Sequence, residues 1–335
     1  MKFTLIGHQF FAVADPVAEY RAGLEQCKLA DELGYDRFLT TEHHLSPYGG
    51  PGIFSQLAAF ARETKRIRIG SMVVLTPIHH PLHIAEELAV IDILSDGRLD
   101  AGVGRGYRPR TMETFGAAMD DLKDKHEETV HIVKRAWTEE TFTHHGRFYD
   151  LEDITVLPKP IQQPHPPLFQ PVLSPPSIPW CLENRINPIL GAHLTVDDVT
   201  RMYFGYWKEA TEQAGDPGLE RANQQICYVA RTQSEAMQGF AAVCRYCREF
   251  AKDLPNFPGS VWETYRNDLV MLADNVEEAA RRSIVGDPAA VVDRLEFYRE
   301  LGVQNLILFM DFGVDQSDVL ESMRLFAEHV MPKFK

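Results

Sequence analysis

Basic residues are scarce in this chain: 34 Lys and Arg stand against 48 Asp and Glu, a formal net charge of -14 over 335 residues. A nucleic-acid backbone needs clustered Lys and Arg, and no basic block offsets the balance, so that class of partner is excluded. Long apolar runs are missing as well. No stretch approaches the roughly 18 uncharged apolar residues of a membrane helix. The first residues, MKFTLIGHQFFAVADP, hold one lysine and no apolar core long enough for a signal peptide, so the expected location is the cytoplasm. Cysteine is sparse and odd in number, at five. Cys244 and Cys247 make one CxxC inside a helical run, AAVCRYCREF, and no second CxxC completes a zinc site. Together with Cys27, Cys181 and Cys227 they are expected to be reduced thiols. Two catalytic signatures are absent too: there is no GxSxG elbow, and GHQFFAVADP is no Gly-rich phosphate loop.

What is present is alternation. Short apolar runs alternate with helical periodicity, the pattern of a parallel sheet with crossover helices. FTLIGHQF (3–10) reads as a strand. Asp15 then supplies a helix N-cap, Pro16 the first helical position, and Gly34 the stop. DRFLTTEHH (36–44), IRIGSMVVL (67–75) and RLDAGVG (98–104) read as the next strands, with helices between them. After residue 138 comes an excursion with the look of a hairpin, then strands at 168–172, 187–193, 224–232 and 304–310. Helices are expected at 196–214, 233–253, 315–331 and from Asp287. Eight strands in one series, with no linker, predict a single α/β domain over 1–335, a (β/α)8 TIM barrel. The stretch 254–285 breaks the rhythm and reads as an insertion before the last βα unit.

In such a barrel the chemistry sits at the C-terminal ends of the strands. That geometry selects His8 and Phe10, then Glu42, His43 and His44, then Leu75 and Thr76. Gly104, Arg105, Gly106 and Tyr107 follow the fourth strand, and Ser174 and Ser177 the fifth. His43 and His44 would point to opposite faces of a strand, so a shared metal ion is disfavoured and no metal site is expected; His80 and His83 lack a third ligand. A histidine at a barrel mouth is placed to move protons near neutrality, although bonding a loop carbonyl is its blander role. In GVGRGYRPR (102–110), glycines let the backbone approach a ligand and Arg105 offers a fork for a phosphate. Ser174 and Ser177 could add donors to the same phosphate, or Ser174 could simply cap a helix.

Taken together, TEHH (41–44), IGSMVVLTPIHHP (69–81), DILSDGRLDAGVGRG (92–106), FG (115–116), VGDPAAVVDRLEFYRELGVQNLILF (285–309) and SMRLFAEHVMPKF (322–334) resemble the bacterial luciferase-like flavin monooxygenases, the alkanal monooxygenase α chain in particular. The resemblance implies a barrel that binds reduced FMN (FMNH2), reacts it with O2 to a flavin hydroperoxide, and oxygenates a small organic substrate, an aldehyde, ketone or similar. It implies a separate NAD(P)H:flavin reductase as the source of FMNH2. By position, His43 matches the catalytic histidine, with His44 beside it. Arg105 and Ser177 match phosphate ligands, with Ser174, Gly106 and Tyr107 next to them, and Leu173 stands where luciferase has a glutamate. Met72 and Val73 match a bulge on the isoalloxazine ring that carries a non-proline cis peptide. The family also implies a homodimer, or a heterodimer with a related chain, with FSQLAAFARETK (54–65) as the candidate interface. Two other readings stay open on this scaffold: hydride transfer with a deazaflavin, and a noncatalytic flavin-binding subunit.

Overall fold

The computed structural model describes residues 1–11, 15–191 and 193–335; Ala192, within the expected strand 187–193, lies outside them. Eight parallel strands make the barrel: β1 (Lys2–Gly7), β2 (Arg37–Thr40), β3 (Arg68–Ser71), β4 (Leu99–Gly104), β5 (Leu168–Val172), β6 (Asn187–Leu190), β7 (Ala222–Val229) and β8 (Asn305–Phe309). Each pairs with its neighbour in sequence. Lys2 against Asn305 joins β8 to β1, and Ala222 against Ile189 closes β6 onto β7. The strands are buried almost throughout, which is why they read as continuous apolar runs and not as alternating ones.

Local signals place the helices as the sequence suggests. Asp15 accepts from the Ala18 amide, Pro16 opens the helix Pro16–Leu33, and Gly34 ends it at φ 80°. Asp287 and Pro288 repeat the device at Pro288–Glu300. At the N-terminal end of the barrel, buried Arg37 joins both Asp100 and Glu220, and Arg68 Nη2 lies 2.6 Å from Asp100 Oδ1. Pairing is what makes such buried charges tolerable. The hairpin Phe142–His145 with Asp150–Ile154 is antiparallel, as its sequence suggests. The five cysteines are free thiols. Among the described residues no helix is long and apolar enough to cross a membrane.

Four expected elements come out differently. The strand expected over 36–44 ends at Thr40, so Glu42, His43 and His44 lie in the loop beyond it. The strand expected over 67–75 stops at Ser71 and resumes as Val74–Leu75, which pairs with the end of β4 (Val74 with Val103, Leu75 with Gly104). Between the two pieces the Met72–Val73 peptide is cis. The β4 glycines make room for it: a Cβ on Gly102 would sit 2.0 Å from the Ser71 oxygen, and one on Gly104 2.3 Å from Val73 Cγ2. The helix expected over 233–253 is two, Gln233–Phe240 and Ala242–Asp253. Within 254–285, helices Val261–Leu272 and Val276–Arg281 are followed by a short strand, Ile284–Gly286, which lies parallel on the outer half of β7. Three residues are too few for a period to register. The helix Ile53–Glu63 turns Ile53, Leu57, Phe60 and Ala61 into the core of its own chain.

Candidate active site

A cavity of about 320 Å³ opens at the C-terminal ends of the strands, a size typical of small-molecule and cofactor sites. His43, Met72, Val73, Arg105, Gly106, Tyr107, Leu173, Ser174 and Ser177 all line it. His44 does not.

His43 is held by a residue the sequence reading passed over. Arg108, buried, donates from Nη1 to His43 Nδ1 at 2.9 Å. A guanidinium has only donors, so Nδ1 must be the accepting nitrogen and Nε2 carries the proton of the neutral ring. Burial, followed by the charge of Arg108, holds the His43 pKa well below its usual 6.5, so the ring stays neutral at any physiological pH. Arg108 Nη2 in turn lies 2.6 Å from Asp253 Oδ2, a close ion pair without hydrogen-bond alignment. Gly49, at φ 69°, leaves the space the imidazole fills: a Cβ there would sit 2.1 Å from His43 Cδ2. His8 packs edge-on at 5.6 Å between ring centroids, its Nδ1 on the Thr41 hydroxyl at 3.1 Å. Among the described residues its Nε2 is buried without a partner, and burial pushes its pKa down to about 3.

His44 turns instead to Glu42. Glu42 is 2% exposed, and its Oε1 accepts from His44 Nε2 at 2.9 Å and from His79 Nε2 at 2.7 Å, while Oε2 takes the Leu75 amide at 2.7 Å. Burial alone would raise this carboxyl, but the four causes that follow it, all hydrogen bonds or charges from these partners, outweigh burial and hold it at about 2. Glu42, His44 and His79 have their ligand atoms within 4.8 Å of one another, an arrangement that could also hold a cation. As it stands the carboxylate is saturated by protein donors, and it clamps the end of β2 to the stretch after the cis peptide.

On the β4 and β5 side the lining is cationic and hydroxylated. Arg105 is exposed at the cavity, Lys123 is paired with Glu127 of the same lining at 3.0 Å, and the hydroxyls of Ser174 and Ser177 lie 3.3 Å apart. Below them Gln170 Oε1 accepts from Trp180 Nε1 at 3.2 Å and from His126 Nε2 at 3.0 Å; Thr76 bonds the other nitrogen of His126 at 2.7 Å. His126 is pushed down to about 4 by burial.

The side formed by β6, β8 and the 242–272 region is aromatic. Trp262 stacks on Tyr107 at 4.1 Å, and Phe250, Phe309, Tyr246 and Tyr265 complete the wall around His193. None of Arg108, His126, Gln170, His193, Tyr246, Trp262 or Tyr265 was among the sequence-predicted site residues. Arg108 lay inside the quoted arginine loop, and its second arginine was the signal available. Trp262 and Tyr265 come from the irregular 254–285 stretch, where no strand end announces them.

The family model for "Luciferase-like monooxygenase" matches residues 1–305. The oxygenase component of the flavin-dependent trigonelline monooxygenase of Acinetobacter baylyi is 27% identical over 100% of this chain and 96% of its own. The alkanal monooxygenase α chain of Photobacterium leiognathi is 24% identical over 91% of each chain. Among solved structures, monooxygenase RslO1 from Streptomyces bottropensis superposes with a TM-score of 0.85 at 28% identity, covering both chains completely. An F420-dependent secondary alcohol dehydrogenase shares the fold at a TM-score of 0.76 and 16% identity, over 98% of each chain. The chain belongs to the luciferase-like monooxygenase family.

Proposed function

We propose that this chain is the oxygenase component of a two-component system, taking reduced FMN from a separate NAD(P)H:flavin reductase and using O2 to oxygenate a small organic substrate. The observation that carries the reading is a neutral, donor-locked His43 sharing one cavity with Arg105, Ser174 and Ser177. The residues fit the cofactor: Arg105 and the paired hydroxyls suit a phosphate, and the β4 glycines leave the Met72–Val73 bulge free to lie under a flat ring. Reduced FMN, when bound, supplies the electrons that activate O2.

The protein's own part is orientation, proton placement and exclusion of water. His43 presents Nε2–H as a donor, while Arg108 occupies the lone pair on Nδ1. The ring therefore orients an oxygen atom, and serves as a base only if Arg108 lets go. His8 Nε2, buried and unpartnered among the described residues, is a second polar atom available to an oxygen ligand. Aromatic walls keep bulk water from the reacting atoms, which strengthens both hydrogen bonds. Five free thiols suit a reducing compartment such as the cytoplasm, and a homodimer, or a pairing with a related chain, is the assembly we infer.

The test is direct. Photoreduced FMN is mixed with the chain, a substrate panel and isotopically labelled oxygen gas, with reduced deazaflavin in a parallel arm. Label in the product with FMN, and none with deazaflavin, is the expected result. Turnover with deazaflavin in the absence of oxygen would overturn the reading in favour of hydride transfer. Failure to bind reduced FMN at all would favour a noncatalytic subunit.

A further inference from the structure

We propose that Tyr246 and Tyr265, gathered on His193, form the substrate-recognition site of the cavity and select an uncharged, flat molecule bearing an acceptor oxygen, such as an aryl or alicyclic ketone or aldehyde. This rests on the cavity being the oxygenase site proposed above. His193 Nε2 lies 2.9 Å from the Tyr246 hydroxyl and 2.9 Å from the Tyr265 hydroxyl. One ring nitrogen has either one proton or one lone pair. If it is the acceptor, it takes one hydroxyl proton and the other hydroxyl must donate elsewhere. If it is the donor, both tyrosines keep their protons. In either tautomer at least one phenolic O–H is left over, and among the described residues neither hydroxyl has a further partner.

A buried donor without an acceptor costs about 1–3 kcal/mol. A ligand that supplies the acceptor recovers that energy, and a ligand of the same shape without one does not. Both hydroxyls remain donors, since burial pushes their pKa values well above 10, and His193 remains neutral, pushed down to about 4. The surroundings set the rest of the ligand's character. His193 is enclosed by Tyr246, Phe250, Tyr265 and Phe309 at 5.8–6.0 Å between ring centroids, so it cannot swing to another partner. Trp262 stacked on Tyr107 offers a flat apolar wall. The charges that act on Tyr107 and Tyr265 of this wall include Arg108, paired with Asp253, and Asp268, paired with Arg282. An ionised ligand therefore meets paired charges on this side.

The cavity thus has two chemically distinct sides. Arg105, Lys123 and the serines come from β4, β5 and the following helix, and the tyrosine pair from the region after β7. The helix Val261–Leu272 thereby acquires a specificity role.

The experiment compares acetophenone with ethylbenzene, which are alike in shape and differ in the acceptor oxygen. Binding is measured by calorimetry on the full chain saturated with oxidised FMN. Wild type should favour the ketone, and Tyr246→Phe/Tyr265→Phe should shift the ratio of affinities toward the hydrocarbon by about fivefold to tenfold, with ethylbenzene affinity itself unchanged. Each single variant should lose part of that preference, and they read the same ratio if the double variant does not fold. A ratio within about twofold of wild type in these variants, or no binding of either probe by wild type, overturns the proposal. Binding is read without turnover, so failure of the oxygenase reading, seen as absent label incorporation, remains separate from failure here.

Discussion

Arg108 Nη1 donates to His43 Nδ1 at 2.9 Å, so an arginine fixes which nitrogen of the candidate catalytic histidine bears the proton. Arg108→Met should release the ring to both tautomers and raise its pKa, because the second-ranked cause of the depression is removed while burial remains. His43→Ala should lower product formation by about 100-fold while FMN affinity stays within about threefold. Arg108→Met should fall between that variant and wild type, with lost product appearing as hydrogen peroxide. Equal product yield per reduced FMN in all three proteins would remove His43 from the mechanism.

Two neighbouring glycines separate backbone cost from site cost. Gly49 and Gly52 both have positive φ, at 69° and 77°, but a Cβ on Gly49 would strike His43 whereas one on Gly52 meets nothing within 4 Å. Each alanine variant should cost about 1–2 kcal/mol of stability from the left-handed backbone. Only Gly49→Ala should also depress product yield. Thermal melts alongside product assays distinguish the two, and equal yields would show that His43 is free to move.

Arg105 faces the cavity and is exposed, so its contribution to a phosphate should be salt-dependent. Arg105→Ala is expected to weaken FMN binding by about tenfold at low salt. Riboflavin, which lacks the phosphate, should bind both proteins alike. A parallel loss for riboflavin would place the arginine on the ring or the ribityl chain.

Acid should destabilise the protein above the usual carboxylate range. His8 titrates at about 3, His126 and His193 at about 4, and His43 well below 6.5 in the folded state. Between pH 6.5 and about 4 the unfolded chain binds protons at these histidines that the folded chain does not, so their contribution is full above 6.5 and declines as the pH falls; Asp311, raised to about 7 by burial, offsets one of them. Glu42 belongs to a lower window: its contribution is complete above 4.5 and is lost as the pH falls through about 2. Urea titrations at about pH 8, 6 and 5 should show the decline. His126→Gln should flatten it, and an unchanged slope would mean that His126 titrates in the fold as it does in the unfolded chain.

Glu42→Gln tests the clamp. The carboxylate accepts three hydrogen bonds, two of them from histidines, and a neutral amide satisfies them poorly. A loss of about 1–3 kcal/mol is expected, with FMN affinity lowered through the Met72–Val73 bulge.

The chain's own sequence determined the barrel. Eight buried strands must read as apolar runs, and Asp15–Pro16, Gly34 and Asp287–Pro288 write the helix boundaries in local backbone chemistry that needs no tertiary partner. His43, Arg105, Ser174 and Ser177 were legible for the same reason: a barrel puts its chemistry at strand ends, and strand ends can be counted. What only the tertiary structure decided was direction and partnership. His43 and His44 are adjacent, yet one lines the cavity and the other serves Glu42, because they lie in the loop beyond the end of β2 at Thr40, where partners across the fold set each direction. Arg108 finds His43 across 65 residues and Tyr265 finds His193 across 72. Contacts that long leave no period in the sequence, since they depend on how the loops above the barrel fold back over its mouth.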